Sequence, residues 1–284
     1  MHPDDFMTAA GGPATSRGIQ IRWLGTAGFE LRAEGTTLLI DPYLTRVGLG
    51  AYLRGPIRPD TERLARELPR ADAIVVGHSH FDHVMDVPDI ALRTGARVIG
   101  SRSTANLMAA AGLPPEQIVT CEGGEVFDVG PFKVTLTPSE HSRFALGGRV
   151  PYAGDIPCSC ELPLRGSGYK CGQVFAIAVE LDDLCVYHMG SANLIDDAIV
   201  HKGVDVFLMG ISGRHATERY IPRVLRRLEP RLVLPMHYDN FFRAAERPMT
   251  LLPLTRFGRF VDDVTGFDRD IGIRTLAIGG SLAL

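Results

Sequence analysis

An apolar run, Ala73 to Gly77, leads directly into His78, Ser79, His80, Phe81, Asp82 and His83, which sets three imidazoles and one carboxylate within six residues. A short uninterrupted apolar stretch of this kind reads as a buried strand. Side chains alternate along a strand, so its end holds His78 and His80 on one side, while Asp82 and His83 come from the following turn and reach a second position. Imidazole is the commonest metal ligand among side chains. Burying several imidazoles and a carboxylate without a cation costs desolvation that a divalent ion offsets, whereas polar residues merely closing a strand would need other partners.

The pattern around this segment predicts a mixed α/β chain. Ile19 to Leu24 alternates apolar and polar, Phe29 to Arg32 does the same, and Thr36 to Ile40 runs into Asp41-Pro42, so the ordered part opens as a strand meander. Beyond Ala71, short strands alternate with helices. Pro88 to Thr94 is a helix closed by Gly95, Arg97 to Gly100 is a strand, and Ser103 caps a helix that runs through Ala111 to Gly112. Strands are expected at Phe132 to Thr137, Val174 to Glu180, Leu184 to His188, Asp205 to Met209 and Leu232 to Pro235, with an amphipathic helix over Ala216 to Leu228. Meanders mixed with βα units imply two sheets packed face to face with helices outside, a four-layer αββα sandwich. Residues 1–17 are expected to be a flexible leader and 18–284 a single domain.

Composition removes several classes of function. The 284 residues carry 30 Lys and Arg against 33 Asp and Glu, a balance that provides no electrostatic footprint for duplex DNA or an anionic membrane, both of which favour a basic face. Every apolar run is far shorter than the roughly 20 residues that cross a bilayer. The first residues lack a basic segment followed by an apolar one, which points to the cytoplasm. Five cysteines at uneven spacing suit reduced thiols. Cys158, Cys160 and Cys171 give three ligands where a closed zinc site needs four, and are read as thiols in a loop over the pocket.

Two further histidines lie just past strand ends. His141 follows Phe132 to Thr137, and His237 follows Leu232 to Pro235. Open α/β sheets gather ligands at the C-terminal ends of their strands, so both are expected to join one site with the cluster. Arg143 and Arg214 occupy loops nearby, where a guanidinium can hold a substrate phosphate or carboxylate. Tyr238, Phe241 and Phe242 are candidates for the substrate wall, with core packing the alternative. The arginines at 219, 223, 226 and 227 read as a solvated helix face. Loops at 143–150 and 155–172, with the stretch after His237, are expected to set specificity.

With these residues in view, the chain resembles the metallo-β-lactamase fold hydrolases, whose signature is His-x-His-x-Asp-His after a strand. The likeness runs from the meander with Asp41-Pro42, through 78–83, to His141, to Tyr187-His188-Met189-Gly190 and to Pro235-Met236-His237. Its layout is most similar to the branch with ascorbate-6-phosphate lactonase and N-acylphosphatidylethanolamine phospholipase D. The resemblance implies that His78, His80 and His141 hold a first metal, that Asp82, His83 and His237 hold a second, and that Asp41 orients a ligand imidazole from behind. It implies zinc, with manganese or ferrous iron as alternatives. Where the family places a bridging Asp, this chain has Ser191, so one ion is expected to bind tightly and a second weakly, unless Asp155, Asp196 or Asp197 substitutes. His188 is read as a core residue.

The implied activity is hydrolysis of an ester, lactone or phosphodiester of a small molecule by metal-activated water, with Asp82 and His237 as catalytic residues and Tyr238 as a further oxyanion donor. An iron-dependent redox enzyme of the same fold, and a non-catalytic metal- or ligand-binding member, are the competing readings.

Overall fold

In the computed structural model, which describes residues 1–7, 18–143 and 148–284, the strands are β1 (Gln20–Gly25), β2 (Gly28–Ala33), β3 (Thr36–Ile40), β4 (Ala73–Val75), β5 (Arg97–Gly100), β6 (Ile118–Thr120), β7 (Val126–Val129), β8 (Phe132–Ser139), β9 (Val174–Leu181), β10 (Leu184–Met189), β11 (Val206–Gly210), β12 (Leu232–Met236), β13 (Gly272–Ile273) and β14 (Ser281–Ala283). They form two seven-stranded sheets, ordered β14-β1-β2-β3-β4-β5-β6 and β13-β12-β11-β10-β9-β8-β7. Each sheet is antiparallel in its meander half and parallel where helices intervene, as in β3-β4-β5 and β10-β11-β12.

Alternation along the strands builds the layers. Leu38 and Ile40 of β3 and Ala73 and Val75 of β4 face the second sheet, where Val134, Ile177 and Val179 meet them in the main core. Leu39 and Ile74 point the other way, into a separate core with Leu64, Ile90 and Leu107. Those three residues belong to α2 (Thr61–Glu67), α4 (Val87–Thr94) and α5 (Arg102–Ala110), while α1 (Leu49–Arg54) and α3 (Phe81–Val84) occupy the loops beside them. On the far side of the second sheet lie α6 (Tyr220–Leu228) and α7 (Phe257–Phe267). The layering is the αββα sandwich of the metallo-β-lactamase fold.

Several local expectations are corrected. The helix over 102–110 is capped by Ser101, whose hydroxyl accepts from Thr104 N–H, so Ser103 lies inside it. α6 starts at Tyr220, not Ala216, because Arg219 adopts a left-handed backbone at φ 49°, which no continuous right-handed helix passes through. The beginning of the chain is not a loose leader throughout. Residues Pro3–Phe6 form a 3₁₀ turn, Thr275 Oγ1 donates to the Pro3 carbonyl, and Phe6 packs on Phe257. Residues 8–17 of that expected leader lie outside the described residues. α7 lies outside the helices expected from the sequence, although Phe257, Phe260, Val261 and Val264 repeat at helical spacing and all are buried. No helix among the described residues is long and apolar enough to cross a membrane.

Candidate metal centre

Strands β3, β4, β8, β10 and β12 bring their C-terminal ends to the same edge of the sandwich. Asp41 follows β3, the cluster at 78–83 follows β4, His141 follows β8, Ser191 follows β10 and His237 follows β12. Three groups of donor atoms lie within 4.8 Å of one another there: His78 with His80 and His141, Asp82 with His83 and His237, and Asp41 with His78 and His83.

For His80, His83 and His141, hydrogen bonds fix which ring nitrogen is free. His80 Nε2 meets the Pro151 carbonyl at 2.9 Å, which turns Nδ1 toward His78 Nε2 at 3.0 Å. His141 Nδ1 donates to the Ser142 carbonyl at 2.6 Å, leaving Nε2 for the site. His83 Nδ1 meets Asp41 Oδ2 at 2.7 Å, and its Nε2 lies 3.9 Å from Asp82 Oδ2, which also stands 3.3 Å from His237 Nε2.

The local backbone is specialised for this crowding. Asp41 and His237 both adopt left-handed conformations, at φ 44° and 59°, a strain that typically costs about 1–3 kcal/mol and persists only where the surroundings impose it. At His237 that constraint is visible. Its N–H donates to the Thr26 carbonyl, while Thr26 N–H donates to Asp239, which pairs with buried Arg46 at 2.7 Å. Two glycines make room for Asp41, since a Cβ on Gly77 or Gly190 would come within 3.0 Å of its Oδ2. Neither glycine was singled out for this role by the sequence reading, because the approach involves three separate strands.

Electrostatics leave His78, His80, His141 and Asp82 in the form that a metal ion requires, whereas His83 must give up a proton to bind one. Burial pushes the imidazoles of His78, His80 and His141 down, helped by repulsion from neighbouring histidines such as His83, His80 to about 4 and His141 to about 3. For Asp82, burial favours the neutral acid, but the imidazoles of His83 and His237 outweigh it and hold the carboxyl well below its usual range. Burial likewise opposes an imidazolium at His83, and the carboxylates of Asp41 and Asp82 overcome it and raise that residue. Neutral imidazoles beside an ionised carboxylate suit a divalent cation with nitrogen and oxygen preference, so these residues fit the expected metal.

Ser191 lies at the edge of the cluster, its hydroxyl accepting from Ser142 N–H at 2.9 Å. The acids considered as substitutes are engaged elsewhere: Asp196 with Arg223, Asp197 with Arg227, and Asp155 with the Ser103 hydroxyl. The arginines at 223 and 227 are therefore partly tied down, not simply solvated. His188 is fully buried, its Nε2 on the Ala27 carbonyl at 2.8 Å. Cys158, Cys160 and Cys171 are free thiols and belong to no metal-ligating group among the described residues.

A cavity of about 570 Å³ opens over the cluster, a size suited to a small-molecule ligand. Phe241 and Phe242 line it as the sequence suggested, joined by Tyr52, Phe81 and Tyr152, which sequence reasoning did not assign to it. Arg143 also lines it. Three expectations for the cavity are corrected. Tyr238 is wholly buried between Trp23 and Phe257, because the left-handed turn at His237 sends the following side chain into the core. Arg214 is 3% exposed and spends its guanidinium on the carbonyls of Ile211, Thr255 and Arg256 instead of facing the cavity. The 155–172 stretch also turns away, Ile156 and Tyr169 packing into the helix-side core.

A family profile described as the beta-lactamase superfamily domain matches residues 20–237, which span the whole candidate centre. The chain belongs to the beta-lactamase superfamily. Within the superfamily it is similar to UPF0173 metal-dependent hydrolases. It is 30% identical to one from Carboxydothermus hydrogenoformans, covering 78% of this chain and 86% of the relative, and 29% identical to one from Anaeromyxobacter sp. (strain K), covering 84% and 82%. Among solved structures, Igni18, a metallo hydrolase from Ignicoccus hospitalis, superposes with a TM-score of 0.60 at 21% identity, covering 94% of this chain and 98% of that one. The diiron β-hydroxylase CmlA from Streptomyces venezuelae shares the superfamily fold, with a TM-score of 0.62 at 16% identity over 96% of this chain and 55% of its own.

Proposed function

We propose that this metal-dependent hydrolase cleaves an ester, lactone or phosphodiester of a small molecule, and that it holds a zinc ion tightly at His78, His80 and His141 and a second ion weakly at Asp82, His83 and His237. The observation that supports this most is the pair of three-residue donor groups lining one cavity, with the free nitrogens of His80, His83 and His141 set by hydrogen bonds behind them. A divalent cation held there would supply Lewis acidity toward an acyl or phosphoryl oxygen and would ease loss of a proton from water near neutral pH.

The chain's own groups do the rest. Asp82 lines the cavity and stays ionised, so it accepts the hydrogen bond that orients the attacking water. In the one-ion form, His237 Nε2, 3.3 Å from Asp82 Oδ2, would turn from that carboxylate to donate to the oxygen on which negative charge develops. Asp41 keeps His83 in the tautomer with Nδ1 protonated. Phe81, Phe241 and Phe242 close one side of the cavity to water, and Arg143 reaches the substrate from another.

The test is metal analysis of the purified protein followed by turnover of a panel of lactones, esters and phosphodiesters. His78→Ala combined with His80→Ala is expected to abolish both metal retention and turnover, with the circular dichroism spectrum of the folded chain unchanged. A double variant that retains metal as tightly as the parent overturns the assignment. Bound iron with oxygen-dependent turnover would indicate the redox reading instead, and bound metal with no turnover across the panel would indicate a binding protein.

A further inference from the structure

The cavity has two walls of different chemistry. One is aromatic: Tyr52 and Phe81 have ring centroids 5.0 Å apart, Tyr52 and Phe242 5.2 Å, and Phe241 and Phe242 4.7 Å. The other is formed by the turns after β8, β10 and β11 together with the segment before α7, and it presents Arg143, His215 and Arg256. Its parts are locked together. Ser142 N–H donates to Ser191, a Cβ on Gly213 would strike Ser142 Oγ at 2.6 Å, and buried Arg214 ties Ile211 to the carbonyls of Thr255 and Arg256. Arg214 is thus a positioning residue that sets its sequence neighbour His215 and the backbone of Arg256.

No carboxylate offsets the charge on this second wall. Arg143 and Arg256 line the cavity with exposed side chains, and neither has a carboxylate partner among the described residues, as is also true of surface arginines such as Arg149 and Arg259. Residues 8–17 and 144–147, outside the described set, contain no Asp or Glu. The one carboxylate lining the cavity is Asp82, which belongs to the donor cluster. Burial lowers the His215 imidazole, and the cations Arg214 and Arg256 lower it further against a weaker pull from Asp263. A substrate that left this wall as it is would pair nothing with two guanidinium groups designed by geometry for carboxylate, sulfonate or phosphate oxygens.

We infer that the substrate carries an anionic group seated against Arg143 and Arg256 and an apolar, preferably aromatic, body laid on the wall formed by Tyr52, Phe81, Phe241 and Phe242. The scissile bond then falls over the histidine cluster between them. What is cleaved there rests on the hydrolytic reading above; what is bound does not.

Naphthalene-2-sulfonate and the neutral 2-naphthalenemethanol serve as probes, titrated calorimetrically into the metal-loaded protein. The sulfonate is expected to bind about 10-fold more tightly. Arg143→Gln with Arg256→Gln should erase that preference while leaving both the metal content and the affinity for the alcohol as in the parent. Phe242→Ala should weaken the two probes alike. Equal affinities in the parent would overturn the inference. So would a preference that survives both arginine changes at full metal content, since the anion would then be sitting on the metal. A parent that discriminates the probes yet hydrolyses nothing would remove the hydrolytic reading and leave this one intact.

Discussion

His83 Nδ1 lies 2.7 Å from Asp41 Oδ2, and both side chains are closed to solvent. The other Asp41 oxygen accepts Gly77 N–H at 2.6 Å, so this carboxylate needs two acceptor oxygens at once. Asn offers one. Asp41→Asn therefore turns an amide N–H₂ either onto the Gly77 donor or onto His83, where it favours the tautomer protonated at Nε2, the nitrogen needed by the metal. Affinity at the Asp82, His83 and His237 position is expected to fall about 10- to 100-fold, with the fold intact. Calorimetric metal titration checks this, and an unchanged affinity would count against the role of Asp41.

Ser191 leaves the centre short of negative charge. Two divalent cations would bring four positive charges, and Asp82 is the one carboxylate among the six proposed ligands, so the ligand set would leave a net of about +3, with Asp41 a further carboxylate behind His83. Ser191→Asp keeps an acceptor for Ser142 N–H and adds the missing charge. Metal content after dialysis against a mild chelator is expected to rise from one toward two ions per chain. A parent that already retains two under the same dialysis contradicts the charge argument.

Arg46 and Asp239 form an ion pair shut inside the molecule, and Arg46 also donates to the carbonyls of Arg243 and Asn240. Arg46→Ala strands the Asp239 charge, at an expected cost of about 3 kcal/mol, or a Tm lower by roughly 6–12 °C. Arg46→Met together with Asp239→Asn should recover much of that loss, because the penalty lies mainly in the orphaned charge. Thermal denaturation of the two variants distinguishes this from a simple packing defect.

Burial lifts the Asp86 carboxyl to about 6, although Thr45 Oγ1 and the N–H groups of Thr45 and Leu44 all donate to it. Between its unfolded value near 4 and 6, the native state holds a proton that the unfolded state has released. Stability contributed by this group is therefore full below the unfolded pKa and falls as pH rises through that window, by at most about 1.4 kcal/mol per pH unit, then levels off. Asp86→Asn should flatten this part of the stability profile, since the Thr45 hydroxyl can reverse its hydrogen bond while the amide oxygen keeps the two backbone donors. Urea denaturation of parent and variant across pH 4 to 7 provides the comparison.

The His78 to His83 cluster was legible because its chemistry is contiguous: a buried strand ends, and six residues supply donors that no apolar core tolerates without partners. The alternation of Ile19 to Leu24 and the apolar run at 73–77 gave the strands and, through them, the two-sheet layering. Tyr238 and Arg214 show where that legibility stops. Each is adjacent to the site in sequence, and each turns away from it, because the direction of a side chain after a strand depends on a backbone turn whose geometry is imposed by distant partners such as Thr26 and Asp239.

Residue type and local period thus determined the fold class and the residues able to bind a metal, since burial, alternation and ligand chemistry are properties of short segments. The tertiary structure alone decided which of them converge, through contacts such as Asp41 with Gly77, Gly190 and His83, and Arg214 with Thr255 and Arg256. The same contacts gave the cavity one aromatic and one cationic wall. These are distances of a few ångströms between residues far apart in the chain, and the packing of two whole sheets fixes them.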